Sequence, residues 1–392
     1  MMNYISTILI ICLSIQLTYS THTLNLVQDE QALCLDGSRG SFYFDRGSGS
    51  GAKSWIIYFQ GGGWIGGSNL EATKNSALSR SKTDIGSSKN KAQQVNIGGI
   101  FSRDSKVNPV LYNWNSIYIN YCDGTGHQGY AKDPIVVSGT NIYFRGNSIT
   151  RSIINQFLDE LKQADKVIVS GCSAGGLASF TWVQTIRDLL PPSVTVLNVP
   201  DSGVFQDLTT YDGSISYKNT YHTNFMQLSN KEISPPNTQC VQSNPNEQWK
   251  CLFAQYLIEY IDTPIFFVQS PYDSWCIPNI LKLSCANDGT LQNCNQSQVN
   301  FIESHAISME VMMKSRFSTH FNTGGFGPAC LQHCFLEGSN YYGTKFQVPT
   351  GSGNTIAKTL SAWVLDQSVS SNYLDNVSWP DNVGCNNLPT EM

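Results

Sequence analysis

Ser173 stands in Gly171-Cys172-Ser173-Ala174-Gly175-Gly176, between the apolar run Val167 to Ser170 and a helical pattern that begins at Ala174. A G-x-S-x-G segment joining a strand to a helix is a nucleophile elbow: small flanking residues let the serine occupy a tight turn and project above the sheet edge. A serine placed this way attacks an ester carbonyl, and the oxyanion that develops needs fixed hydrogen-bond donors. The amide of Ala174, next after the nucleophile, is one candidate. The segment Gln60-Gly61-Gly62-Gly63-Trp64, which follows the run Trp55 to Phe59, is the kind of glycine-rich loop that supplies the others. Either segment alone could be an ordinary glycine-rich turn. Two of them, each behind a strand-like run, are far more specific.

A serine nucleophile also needs a base and an acid to orient it, and in this arrangement they follow in the order Ser, Asp, His. Asp273 comes in Ser270-Pro271-Tyr272-Asp273-Ser274-Trp275, just after the run Ile265 to Gln269. Three histidines lie downstream. His305 sits inside a helical pattern beside Ile302 and Met309, and His320 in a polar stretch without anchors. His333 lies in Cys330-Leu331-Gln332-His333-Cys334, where disulfides could pin its loop, and is favoured over His320. A competing use of Cys330, His333 and Cys334 is metal ligation, but a zinc site wants a fourth ligand at recognisable spacing. Cys172 reads as a small, buried, unpaired cysteine rather than a reactive thiol.

The elements that must position these residues are short apolar runs at Trp55 to Phe59, Ile117 to Tyr121, Val167 to Ser170, Val194 to Val199 and Ile265 to Gln269. Lacking polar alternation, they suit a sheet covered on both faces. Helical patterns run from Asn147 to Lys162, from Ala174 to Leu190 before Pro191-Pro192, from Val299 to Phe317 and from Thr355 to Asp366. The Gly- and Ser-rich segment Gly37 to Gly51 reads as a turn between strands. Residues 70–110 and 205–255 read as caps or loops. The expectation is an α/β fold of one domain with loop insertions, its central sheet mostly parallel and flanked by helices.

The chain has 392 residues, 14% of them charged, and a net charge of −5. With only 24 Lys and Arg there is no basic footprint for nucleic acid. Residues 1–20 carry no charged side chain and hold an apolar stretch from Ile5 to Leu17, which reads as a secretory leader, with a membrane anchor as the alternative. The mature part, 21–392, holds no further span of membrane length. Of 12 cysteines, Cys12 would leave with the leader. The odd remainder implies at least one free thiol, with Cys240–Cys251 and Cys285–Cys294 natural pairs in an oxidising compartment. Asn295 and Asn376 begin glycosylation sequons.

Five ordered segments resemble the pectin acetylesterase family, which includes the animal Notum carboxylesterases. They are Phe59 to Trp64, Tyr121-Cys122-Asp123-Gly124, Gly171 to Leu177, Tyr272 to Trp275 and Cys330 to Cys334, and the resemblance extends from about Leu24 to Asp366. It implies an α/β-hydrolase-like fold and a secreted serine esterase. Ser173 would be the nucleophile, Asp273 the orienting acid and His333 the base, with the amides of Gly63, Trp64 and Ala174 as the oxyanion hole. The chain departs from the family at Gln60 and at Thr125-Gly126-His127, the second a change that could alter what the site accepts. Asp123 and Phe205 are candidate substrate contacts, Phe205 as part of the acyl pocket. The chemistry calls for no metal and no organic cofactor. The expected partner is an acylated polysaccharide such as pectin, acted on by a monomer. A Notum-like deacylase of a long-chain lipid ester is the alternative, and a non-catalytic carbohydrate-binding protein is another. Replacing His320 by alanine is expected to leave ester hydrolysis nearly unchanged while His333→Ala abolishes it. The reverse result in a steady-state assay would move the base to His320.

Overall fold

The computed structural model describes residues 21–385 apart from 215, 229–236, 288–289, 321 and 369–370. The expected leader, residues 1–20, lies outside the described residues. A ten-stranded sheet runs in the spatial order Asn372–Leu374, Gly324–Gly327, Phe266–Val268, Thr195–Asp201, Lys166–Cys172, Ser54–Phe59, Asn115–Ile119, Ser41–Asp45, Thr21–Leu26 and Gln94–Asn96. Neighbours are parallel from Asn372–Leu374 through Asn115–Ile119, and the remaining edge is antiparallel. All the expected strands are present in this sheet within two residues of their expected limits.

The unbroken apolar runs are explained by the two faces they serve. In Ser54–Phe59, Trp55, Ile57 and Phe59 join one core, while Ile56 and Tyr58 join the other. The first core is covered by Ile149 and Ile153 of the helix Gly146–Gln156, by Leu177 and Phe180 of Ala174–Leu189, and by Met309 and Met313 of Gln296–Thr319. The second is covered by Leu360 and Trp363 of Ile356–Leu365. No helix among the described residues is long and apolar enough to cross a membrane.

Three expectations are corrected. Gly37 to Gly51 is not only a turn: the strand Ser41–Asp45 lies inside it, and Phe42 and Tyr43 are buried there. The pattern from Asn147 to Lys162 is not one helix. It breaks at Phe157 before a single turn, Leu158–Leu161, because the Phe157 ring packs among Phe42, Phe44 and Trp55 at centroid distances of 5.7, 5.0 and 5.6 Å. Residues 70–110 are more than a cap, since Gln94–Asn96 extends the sheet edge by pairing with Thr21–Leu26.

The join between Lys166–Cys172 and Ala174–Leu189 is the tightest in the fold. A Cβ on Gly175 would stand 1.9 Å from the Phe59 carbonyl oxygen, and one on Gly176 would stand 2.3 Å from that of Asp201. The helix start is thus wedged between the carboxyl ends of the two strands beside the nucleophile strand. Gly175→Ala is expected to lower stability by about 2 kcal/mol or more through this overlap. A thermal midpoint equal to that of the unsubstituted protein would show that the helix can back away.

Candidate active site

Ser173 takes φ 60° and ψ −125°, a left-handed backbone that costs a serine roughly 1–3 kcal/mol and persists only where its surroundings impose it. The surroundings are the glycine contacts just described, together with a hydrogen bond from the Ser173 amide to the Asp201 carbonyl at 2.9 Å. Ser173 is buried, as is Asp273, which follows the strand Phe266–Val268 and is 0% exposed. Both Asp273 oxygens accept from His333 Nδ1, at 2.9 and 2.7 Å. Oδ1 also accepts from the amides of Trp275 and Cys276 at 2.9 and 3.0 Å, which fixes the carboxylate before the imidazole arrives. With Nδ1–H donating, the neutral ring presents Nε2 as an acceptor, and Nε2 is buried with no partner among the described residues. The Trp275 ring stacks along the imidazole at 6.0 Å.

Two disulfides hold the His333 loop. Cys330 pairs with Cys385, and Cys334 pairs with Cys172, the residue before the nucleophile. Cys172 is therefore not the unpaired cysteine. Among the described residues the free thiol is Cys276, buried beside Asp273. A ring nitrogen of His333 and the Cys172 sulfur lie within 4.8 Å of each other, which brings the base to the elbow. The sulfurs of Cys330 and Cys334 are both in disulfides, so they are not available as metal ligands. Asp201 completes the attachment: its Oδ2 accepts from the amides of Phe335 and Leu336, each at 2.7 Å, and the Ser202 hydroxyl accepts from the Cys334 amide at 2.9 Å. One residue thus holds the nucleophile through its carbonyl and the base loop through its carboxylate.

The glycine loop packs directly on the elbow, since a Cβ on Gly61 would lie 3.0 Å from Ser173 Cβ. Gly62 and Gly63 take φ of 146° and 61°, conformations that only glycine adopts freely. From behind, side chains hold the loop's carbonyls. His127 Nε2–H donates to the Gln60 carbonyl at 2.8 Å, the Arg80 guanidinium to that of Gly62 at close range, and the Tyr121 hydroxyl to that of Gly63 at 2.7 Å. Tyr121 OH accepts in turn from the Gly126 amide at 3.0 Å, and Arg80 lies 4.8 Å from the Tyr121 ring centroid. Holding a carbonyl fixes the peptide plane, so the opposed amides are fixed too. Burial holds His127 below the usual imidazole range, with Asp123 opposing, so it stays neutral.

Asp123 has a different place from the substrate contact expected of it. It is 1% exposed, and its oxygens take the Thr125 hydroxyl and the His127 amide, which builds the turn that carries His127. Phe205 is fully buried, its ring 4.9 Å from Trp64 and 5.4 Å from Trp275. His305 lies in the middle of Gln296–Thr319, where burial pushes it down to about 4 although Asp273 opposes this. His320 ends that helix, bonded to Thr319. Arg80 and Asp201 had no role in the sequence reading, and Tyr121 and His127 entered it only as members of the segments 121–124 and 125–127, not as braces of the glycine loop. Their hydrogen-bond partners are as much as 135 positions away, and no local pattern marks such a partner.

The sequence pattern of the pectinacetylesterase family matches residues 15–386. The chain belongs to this family. It is 30% identical over 373 residues to pectin acetylesterase 5 of Arabidopsis thaliana, covering 93% of this chain and 84% of that one. It is 31% identical to pectin acetylesterase 7 of the same plant, covering 86% and 85%. A palmitoleoyl-protein carboxylesterase of Xenopus laevis, notum2, is 26% identical over 91% of this chain and 72% of its own. The structure of the Wnt deacylase Notum from Drosophila superposes with a TM-score of 0.76, covering 93% and 99% of the two chains at 22% identity, a likeness that carries the fold. The α/β-hydrolase architecture expected from the sequence is the one observed.

Burial pulls the His333 pKa down, but the Asp273 carboxylate, through charge and hydrogen bonds, and Asp201 beyond it leave it above 6.5. Burial raises Asp201 itself to about 7 against the pull of the Leu336 and Phe335 amides. A base must be neutral, so kcat/KM for an ester is expected to fall as pH drops through a value above 6.5. Asp273→Asn removes the charge that holds the imidazolium, so this acid limb should move to lower pH while the rate falls by about four orders of magnitude. An acid limb that stays in place in the variant would assign it to another group.

Proposed function

We propose that the protein is a secreted serine carboxylesterase that removes O-acetyl groups from a polysaccharide such as pectin. The observation that carries the reaction class is the His333–Asp273 pair fastened by the Cys172–Cys334 disulfide to the strained elbow of Ser173. His333 Nε2 takes the proton of the Ser173 hydroxyl as its oxygen attacks the ester carbonyl, and Asp273 steadies the imidazolium. The amides of Gly63, Trp64 and Ala174 bind the oxyanion. The imidazolium returns the proton to the departing sugar oxygen as its bond to the acetyl carbon breaks, so that the sugar leaves with a free hydroxyl. Water, deprotonated by the same nitrogen, then cleaves the acetyl-serine and releases acetate.

Acetyl rather than a long acyl chain is supported by the rings beside the glycine loop. Trp64, Phe205 and Trp275 touch one another pairwise, with centroids 4.9 to 5.8 Å apart, and Tyr221 closes on Trp64 at 5.5 Å. Space occupied by mutually packed rings admits a methyl group more readily than a flexible hydrocarbon, which needs a deep apolar cavity. The pectin acetylesterases among the relatives are also the more similar ones. Export is supported by five disulfides among the described residues. The sequons at Asn295 and Asn376 are both exposed. The same reading takes the enzyme to act as a monomer.

Hydrolysis of 4-nitrophenyl esters from acetate to palmitate, run beside Ser173→Ala, tests this reading. The expected result is a preference for acetate that disappears with the serine, and a shift toward longer chains in Phe205→Ala. A preference for palmitate in the unsubstituted protein would replace the polysaccharide reading with that of a lipid-ester deacylase.

A further inference from the structure

Beside the glycine loop the surface opens into a cleft of about 320 Å³. One wall is Trp64 and the turn at Gly66 and Gly67; the other is Tyr217 and Thr220 in the first turns of the helix Ser216–Leu228. Lys282, which is exposed, is the single charged residue of the lining among the described residues, on a chain whose net charge is −5. Its backbone is left-handed, with φ 60°, a conformation a lysine rarely takes unless held there. The flanking residues hold it. Leu281 and Leu283 are buried, and their amides bond to the carbonyls of Cys276 and Ile277 at 3.0 and 3.1 Å, so the lysine between them is left exposed. Lys282 forms no ion pair among the described residues.

The cleft adjoins the reacting ester. The Trp64 ring meets Trp275 at 5.8 Å, and Trp275 stacks on the base. Trp64 and Tyr217 are half-buried and 5.8 Å apart, leaving aromatic surface that suits one face of a sugar ring. A second cleft, of about 360 Å³ beside Gln60, contains both Lys91 and Glu337 and so offers no single sign of charge. Of these two clefts, the Lys282 one combines a lone cation with aromatic walls among the described residues.

We propose that this cleft is the subsite for a uronate unit next to the acetylated sugar, with Lys282 pairing its carboxylate and Trp64 and Tyr217 flanking its ring. The proposal rests on the polysaccharide-deacetylase reading above, and two measurements separate the one from the other. In the first, Ser173→Ala is titrated with unacetylated trigalacturonate, which needs no turnover. Binding that weakens at high salt, and about two- to fivefold when Lys282→Gln is added, supports the subsite. In the second, acetate release is compared between acetylated polygalacturonate with free carboxylates and the same polymer methyl-esterified, each rate divided by that variant's turnover of 4-nitrophenyl acetate. The free-acid polymer should be preferred, the preference should vanish in Lys282→Gln, and Lys282→Arg should restore it. Equal trigalacturonate binding with and without Lys282, or a free-acid preference that Lys282→Gln does not move, overturns the subsite. Salt-sensitive, Lys282-dependent binding of trigalacturonate without acetate release from any glycan upholds the subsite and overturns the deacetylase reading.

Discussion

The left-handed backbone at Ser173 is the point from which the rest of the site is measured. A serine does not adopt it alone, and the chain imposes it by wedging the start of Ala174–Leu189 between the carbonyls of Phe59 and Asp201. That wedge requires three neighbouring strands in parallel register with no Cβ at 171, 175 or 176. The same two carbonyl-bearing strands then deliver the remaining machinery. Ser54–Phe59 runs out into the glycine loop, and Thr195–Asp201 ends on the carboxylate that ties down the base loop.

Catalytic geometry is here divided between local backbone and distant braces. The oxyanion loop needs glycines to turn, but glycines also leave it free to move. Arg80 from one segment, and Tyr121 and His127 from another, remove that freedom by holding the carbonyls of Gly62, Gly63 and Gln60. The Cys34–Cys122 disulfide anchors the segment that carries Tyr121. On the other side, the His333 loop has almost no regular structure of its own and depends on two disulfides and the Asp201 carboxylate. Preorganised donors do not have to be reoriented as charge develops, which is where most of their worth lies.

What could be read from the sequence was what is local in it. The elbow, the glycine loop and Asp273 each sit a few residues beyond an apolar run, so strand, turn and functional residue appear together. His333 stood apart from His320 because cysteines flank it. Cys172 was misread for the converse reason: its partner is 162 positions away, and nothing near it tells a paired cysteine from a free one. Asp123 looked like a substrate contact because it lies in a segment that carries the family resemblance, yet the turn itself uses both of its oxygens. Phe157 and the strand Ser41–Asp45 failed as local patterns because tertiary packing overrode them. The aromatic box needed residues 64, 205, 221 and 275 in one place, and only the folded chain shows that.

The Cys172–Cys334 bond has a consequence for when the protein can act. In the chain-entropy picture, closing so long a loop removes about 5 kcal/mol of freedom from the unfolded chain. Until the bond forms, the loop that carries the base lacks its covalent tether to the nucleophile strand and is held beside it by hydrogen bonds to Asp201 and Ser202. Thiols stay reduced where chains are synthesised and pair along the export route. Base loop and nucleophile strand are therefore joined covalently only where thiols can oxidise, so the redox state of the surroundings sets how firmly the two catalytic halves are held together.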